Sequence, residues 1–197
     1  MSFPTNIYKY KDQLLSQIKI IDNLFDDYNA EFFKEKYNFP LLEENYRDGS
    51  WIGLDLCLDD PKFGEFIGNL IKQGDKALAN IGYPAIESIK TCVIIISESK
   101  SEFKKSRHTD DTGGNRNGFT LSYHWMGDEN AGGTVFYEDY ESQEPIYKID
   151  FKPNRLAIWP SSIPHEGFSN DGYSHNSKRV ILTLFTILKS NPSDKII

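Results

Sequence analysis

The chain has 197 residues, enough for one domain with a substantial apolar core, and it is rich in aromatics, with 13 Phe, 11 Tyr and 3 Trp. Its net charge of -7 argues against the broad basic face that non-specific nucleic-acid binding requires, so a nucleic-acid partner is disfavoured. The longest strongly apolar run, residues 92–96, is too short to span a bilayer, and the N-terminus lacks an apolar secretory core. The two cysteines, Cys57 and Cys92, are more simply reduced and buried than paired. A soluble cytoplasmic protein with no membrane partner is the expectation.

In chain order, residues 11–36 mix helix-like runs with a short apolar strand at 18–21, and Asp26-Asp27 opens a helix carrying Phe32 and Phe33. Pro40 breaks that pattern. Residues 62–81 read as a helix, because Phe63, Phe66, Ile67, Leu70 and Ile71 recur at three- and four-residue spacing before Gly82-Tyr83-Pro84 stops it. From there the periodicity turns to strands, at 91–98, 102–110, 119–126, 134–137, 145–151, 155–159 and 179–188. Tyr, Phe and β-branched residues favour such strands, and Gly, Asn, Asp and Pro part them. Short strands at regular intervals point to a β-sandwich or barrel, of which a jelly roll is one form, with the N-terminal helices packed on one outer sheet face.

The chemistry-bearing residues cluster in the strand region. In an extended segment i and i+2 project to the same side, so His108 and Asp110 of His108-Thr109-Asp110 can share one cavity. A second imidazole from His165 would complete a 2-His-1-carboxylate facial triad, the ligand set of non-haem Fe(II) with open coordination positions. Arg179 offers a planar fork suited to a carboxylate, and Tyr123 is a candidate second donor. Each residue also has a plainer reading. His108 and Asp110 can be a surface pair, His165 a loop histidine, Arg179 a solvated rim arginine and Tyr123 a core tyrosine. His124 falls out of phase with Tyr123 and so faces the other side of its strand; His175 sits in a polar loop.

Taken together, these residues resemble a known family. The order His108-Thr109-Asp110, the run from Arg116 to Tyr123, Gly132-Gly133-Thr134-Val135-Phe136, the run from Arg155 to Ser161, then His165 and Arg179, is similar to that of the Fe(II)/2-oxoglutarate-dependent dioxygenases, in particular the prolyl 4-hydroxylase-like branch. The chain departs from the pattern in a Gly-Gly segment one residue short, a longer interval from His165 to Arg179, and Ile181 where a small or hydroxyl residue is common. The resemblance implies a mainly β chain with flanking α-helices: a double-stranded β-helix core (a distorted jelly roll) at 90–188, supported by helices in 1–89, in one domain spanning 1–197. It implies Fe(II) held by His108, Asp110 and His165, and 2-oxoglutarate anchored by Arg179 with Tyr123 and Thr183. It also implies O2 as co-substrate, with ascorbate as an auxiliary reductant.

The implied reaction is hydroxylation of an unactivated C–H bond with release of succinate and CO2. Asp110 favours hydroxylation over halogenation, which in relatives uses a site lacking that carboxylate. The substrate would be a prolyl residue of a peptide or protein; a free amino acid or other small metabolite is the alternative, meeting the loops at 111–118, 126–131 and 168–177. A non-oxidative metal-binding protein of cupin type, or a metal-free β-sandwich binding module, are the other classes the residues permit.

Overall fold

A computed structural model describes residues 6–26, 52–53, 61–98, 107–110, 118–129, 131–168 and 178–190. Two helices precede most of the strands, α1 (Asn6–Gln17) and α2 (Pro61–Ala79). Proline suits the first turn of α2, where its missing N–H costs no hydrogen bond. The helix ends where Tyr83 N–H donates to the Leu78 carbonyl and Gly82, at φ 82°, takes the left-handed turn that a side chain would resist.

The strands form two antiparallel sheets. The larger has six strands: β1 (Lys19–Ile21), β2 (Ile52–Gly53), β3 (Ile86–Glu98), β4 (Phe119–Gly127), β7 (Arg155–Pro160) and β9 (Lys178–Leu188), in the order β1-β7-β4-β9-β3-β2. The smaller contains β5 (Gly133–Phe136), β6 (Tyr147–Asp150) and β8 (His165–Phe168), in the order β6-β5-β8. This pairing of a major and a minor sheet is the double-stranded β-helix arrangement expected from the sequence.

Alternation along β4 divides its side chains between two environments. Phe119, Leu121, Tyr123 and Trp125 join Leu156, Ile158, Val180, Leu182 and Leu184 in a core covered by Phe63, Phe66 and Leu70 of α2. Leu70 is fully buried there, worth roughly 1.5–3 kcal/mol by transfer alone. On the other face, Ala157 and Trp159 meet Phe136, Ile149 and Ile163, and Ile18 joins them. The interval between the sheets therefore receives Thr120, Ser122 and His124 of β4, all buried, before a register shift turns Met126 to the α2 side.

Several sequence expectations meet the structure with changes. The helix placed at 62–81 runs Pro61–Ala79, and the strand placed at 91–98 begins five residues earlier. His165 lies not in a loop but at the start of β8. Of the strand expected at 102–110, only 107–110 falls within the described residues, where His108 forms an isolated bridge with His165. The helix carrying Phe32 and Phe33, Cys57 and His175 lie outside the described residues. Cys92 is buried. No described helix is long and apolar enough to cross a membrane.

Candidate metal centre

Three side chains, two from neighbouring positions and one from more than fifty residues on, meet at one end of the interval between the sheets. The backbones of His108 and His165 exchange reciprocal hydrogen bonds of 2.9 and 2.8 Å, so residues 107–110 lie against the free edge of β8. Two residues on, Asp110 N–H donates to the Ser161 carbonyl at the end of β7. Backbone pairing thus brings all three positions together before any side-chain interaction is counted.

His108, Asp110 and His165 each offer a ligand atom, and these atoms lie within 4.8 Å of one another. His165 Nε2 is 3.4 Å from Asp110 Oδ2, and His108 Nε2 is 3.7 Å from Asp110 Oδ1. The His165 Nδ1–H donates to the Ile163 carbonyl at 2.9 Å, which leaves the Nε2 lone pair facing the carboxylate. Thr120 Oγ1 donates to Asp110 Oδ2 at 2.7 Å and lies 3.0 Å from Ser161 Oγ. Burial holds the His165 imidazole below the usual histidine range, with Asp110 opposing, so the ring stays neutral and able to ligate. Exposure is uneven: the Asp110 and His165 side chains are 6% and 7% exposed and His108 is 49% exposed, so the centre opens on the His108 side.

A second polar feature lies further along the same interval. Arg179, at the start of β9, is 2% exposed. Its Nη2 donates to the Gly133 carbonyl at 3.1 Å, while Nε and Nη1 are buried with no partner among the described residues. A buried guanidinium with two idle donors is costly, and burial pulls its pKa down to about 10. The Gly132-Gly133 turn permits this approach. Gly132 sits at φ 100°, and a Cβ on Gly133 would come within 2.0 Å of the Ile149 carbonyl oxygen.

His124 belongs to this region. It pairs across the sheet with Ile181, two residues from Arg179 on the same face of β9. Its ring stacks on Phe151 with centroids 4.9 Å apart, and Phe151 N–H donates to the Gly132 carbonyl beside the one that Arg179 uses. Nδ1 accepts a hydrogen bond from Lys152 N–H, which places the imidazole proton on Nε2. Burial, reinforced by the Arg179 and Arg155 charges, lowers its pKa to about 3, so the ring is neutral.

The structure keeps the triad and Arg179 together but sets Tyr123 apart. Tyr123 lies on the α2 face of β4, edge-on to Phe25 and Phe66, with its hydroxyl donating to Asn154 Oδ1. This placement turns Tyr123 away from the face of the sheet that carries Arg179, because the alternation that carries Thr120 inward carries Tyr123 outward. Thr183 is buried opposite Ser122, on the same face as Arg179. The sequence reading had the alternation of Tyr123 and His124 but chose the wrong one as inward. The signal that decides it is the parity of Thr120, which must face Asp110. The Trp159 indole N–H, beside His165, is a further buried donor without a partner among the described residues.

No family model and no curated protein matches the sequence. Solved structures do match in fold. A prolyl hydroxylase from Trichoplax adhaerens, in complex with a hypoxia inducible factor oxygen degradation domain peptide, aligns with TM-score 0.63 at 17% identity, covering 100% of this chain and 99% of its own. A Pseudomonas putida prolyl-4-hydroxylase aligns with TM-score 0.61 at 11% identity, covering 93% and 100%. The epimerase SnoN in complex with Fe3+, alpha ketoglutarate and nogalamycin RO aligns with TM-score 0.63 at 11% identity, covering 91% and 84%. At such identities the likeness concerns the fold, and the His-Asp-His cluster is this chain's own.

Proposed function

We propose that this chain, which has the fold of prolyl hydroxylases and other 2-oxoglutarate-dependent non-haem iron enzymes, is an Fe(II)- and 2-oxoglutarate-dependent dioxygenase acting as one domain over residues 1–197. His108, Asp110 and His165 would hold Fe(II), for two neutral imidazoles and one carboxylate on one side of an ion leave other positions for co-substrates. When bound, the iron supplies activation of O2 coupled to decarboxylation of 2-oxoglutarate, releasing succinate and CO2 and delivering oxygen to a C–H bond.

The observation that carries the co-substrate half of this reading is Arg179. A guanidinium buried with Nε and Nη1 unpaired among the described residues is suited to receive an anion. A carboxylate fits that fork with two parallel hydrogen bonds. His124, neutral and with its proton on Nε2, is a second donor on the same face, and Thr183 a third. Thr120 holds Asp110 so that one oxygen is committed to the hydroxyl and the other remains for metal. A non-oxidative cupin-type protein would not need this second anion site.

Hydroxylation of a prolyl residue in a peptide is the substrate class we favour. Two of the matched folds are prolyl hydroxylases, one bound to a peptide. The exposure of His108 sets the centre at a mouth that an extended chain can reach. The test is turnover with Fe(II), O2 and ascorbate. The protein should convert 2-oxoglutarate to succinate, and a panel of proline-containing peptides should raise that rate and gain 16 mass units (about one oxygen atom). Stimulation by free amino acids alone would move the substrate to the small-metabolite class. No succinate under any condition would overturn the assignment.

A further inference from the structure

Both histidine-bearing segments are tied to one loop that takes no part in the metal centre itself. The loop spans 137–142, between β5 and β6, and it organises itself locally. Asp139 Oδ1 accepts from the backbone N–H of Glu141 and Ser142 and from the Ser142 hydroxyl. These bonds turn the carbonyls of the loop towards one point, where Arg107 sits. Arg107 Nη1 donates to the Tyr140 and Ser142 carbonyls at 2.8 and 2.7 Å and lies 3.4 Å from the Asp139 carbonyl. The guanidinium also lies 3.4 Å from the centroid of the Tyr137 ring.

In the extended segment 107–110, Arg107 and Thr109 project to one side and His108 and Asp110 to the other. The loop engages both members of the outer side, because Tyr140 donates its hydroxyl to Thr109 Oγ1 at 3.1 Å. The same loop reaches the other histidine. Tyr137 N–H donates to the Pro164 carbonyl at 2.9 Å, and the Tyr137 hydroxyl donates to Glu166 Oε1, so His165 is bracketed on both sides.

We propose that the 137–142 loop is a clamp that sets the spacing of the two histidine ligands, with Arg107 as its central positioning residue. Resting on the metal reading above, the clamp has a simple physical rationale. His108 is joined to β8 by a single bridge and is half exposed, so its backbone gains little rigidity from the sheet. Fixing the outer face of its segment supplies what the sheet does not. Loss of such supporting contacts typically weakens metal affinity 10- to 100-fold.

Binding of Co(II) alone to the full chain, followed by its visible bands, tests the clamp. Arg107→Ala should raise the Co(II) Kd about tenfold or more. Affinity of the Co(II)-loaded protein for 2-oxoglutarate, measured at saturating metal, should stay within about twofold, because Arg179 is anchored to Gly133 and not to the loop. Arg107→Lys should recover only part of the loss, since an ammonium lacks the planar face that lies over the Tyr137 ring. Tyr140→Phe, at an exposed site, keeps the fold and removes only the bond to Thr109; it should weaken Co(II) by a smaller factor, and it decides the matter if Arg107→Ala does not fold. Unchanged Co(II) affinity in the variants, or equal loss of metal and 2-oxoglutarate affinity, would overturn the clamp. Wild-type protein that binds no Co(II) would overturn the metal reading itself.

Discussion

Replacing Arg179 by methionine should make the ligand-free protein more stable while destroying its affinity for the co-substrate. Arg179 is almost wholly buried, donates to the Gly133 carbonyl, and leaves Nε and Nη1 without a partner among the described residues. Two unsatisfied buried donors cost about 1–3 kcal/mol each. The lowered pKa is of the same order: burial pulls it down to about 10, a shift of roughly 3 kcal/mol. Methionine fills a similar volume without a charge, and such replacements are often stabilising by about 1–4 kcal/mol. At this chain length each kcal/mol moves Tm by about 2–4 °C, so a rise of several degrees is expected. In wild type, 2-oxoglutarate at a hundred times its Kd should add about 2.7 kcal/mol of stability. In Arg179→Met, with affinity reduced by ~2–5 kcal/mol, or about 30-fold to several thousandfold, that increment should fall below about 1 kcal/mol at the same ligand concentration. Thermal unfolding of Mn(II)-loaded protein with and without 2-oxoglutarate reads both effects. A less stable variant that still gains the wild-type increment would refute the reasoning, for Arg179 would then be structural.

Other expectations follow from single contacts. Asn154 holds the 24–25 segment through Phe25 N–H and carbonyl, accepts from the Tyr123 hydroxyl, and adopts φ 61°, which asparagine tolerates better than most residues; Asn154→Ala should cost about 2 kcal/mol in urea unfolding. Leu70→Ala, on the buried face of α2, should cost ~2–5 kcal/mol by the same measurement, with metal affinity unchanged. For His124 the folded pKa is depressed to about 3 against an ordinary 6.5, so neutral imidazole is favoured in the fold. Its contribution is fully present above pH 6.5 and is lost as pH falls towards 3, at up to about 1.4 kcal/mol per pH unit. Urea midpoints at pH 7 and pH 5 should differ accordingly, and His124→Gln should flatten the difference; an unchanged slope would show that another group carries it.

Much of this arrangement was legible in the sequence because it is local. The period of Phe63, Phe66 and Leu70 marked α2, and the His108-x-Asp110 spacing already placed two candidate ligands on one side of an extended segment. The motif order pointed to His165 and Arg179 as further candidates. Parity was the harder problem. Periodicity shows that Tyr123 and His124 face opposite ways but not which faces the interior, because aromatic residues line both layers of the core. Only the bond from Thr120 to Asp110, between segments ten residues apart, settles it. The strand at His165 was hidden for a related reason: β8 is four residues long, follows a proline-rich turn, and exists by pairing with β5 and with His108. The Arg107 clamp depends on carbonyl groups, which carry no sequence signature at all.

The central claim is that His108, Asp110 and His165 form an iron site that accepts a chelating 2-oxo acid. Anaerobic titration of the metal-free protein with Fe(II) and then 2-oxoglutarate, following the weak visible charge-transfer absorption of the chelate, tests it most directly. The account predicts that the band appears at one iron per chain and is lost in His108→Ala and Asp110→Ala. Iron binding without the band would contradict the co-substrate assignment, and a band that survives in Asp110→Ala would contradict the site.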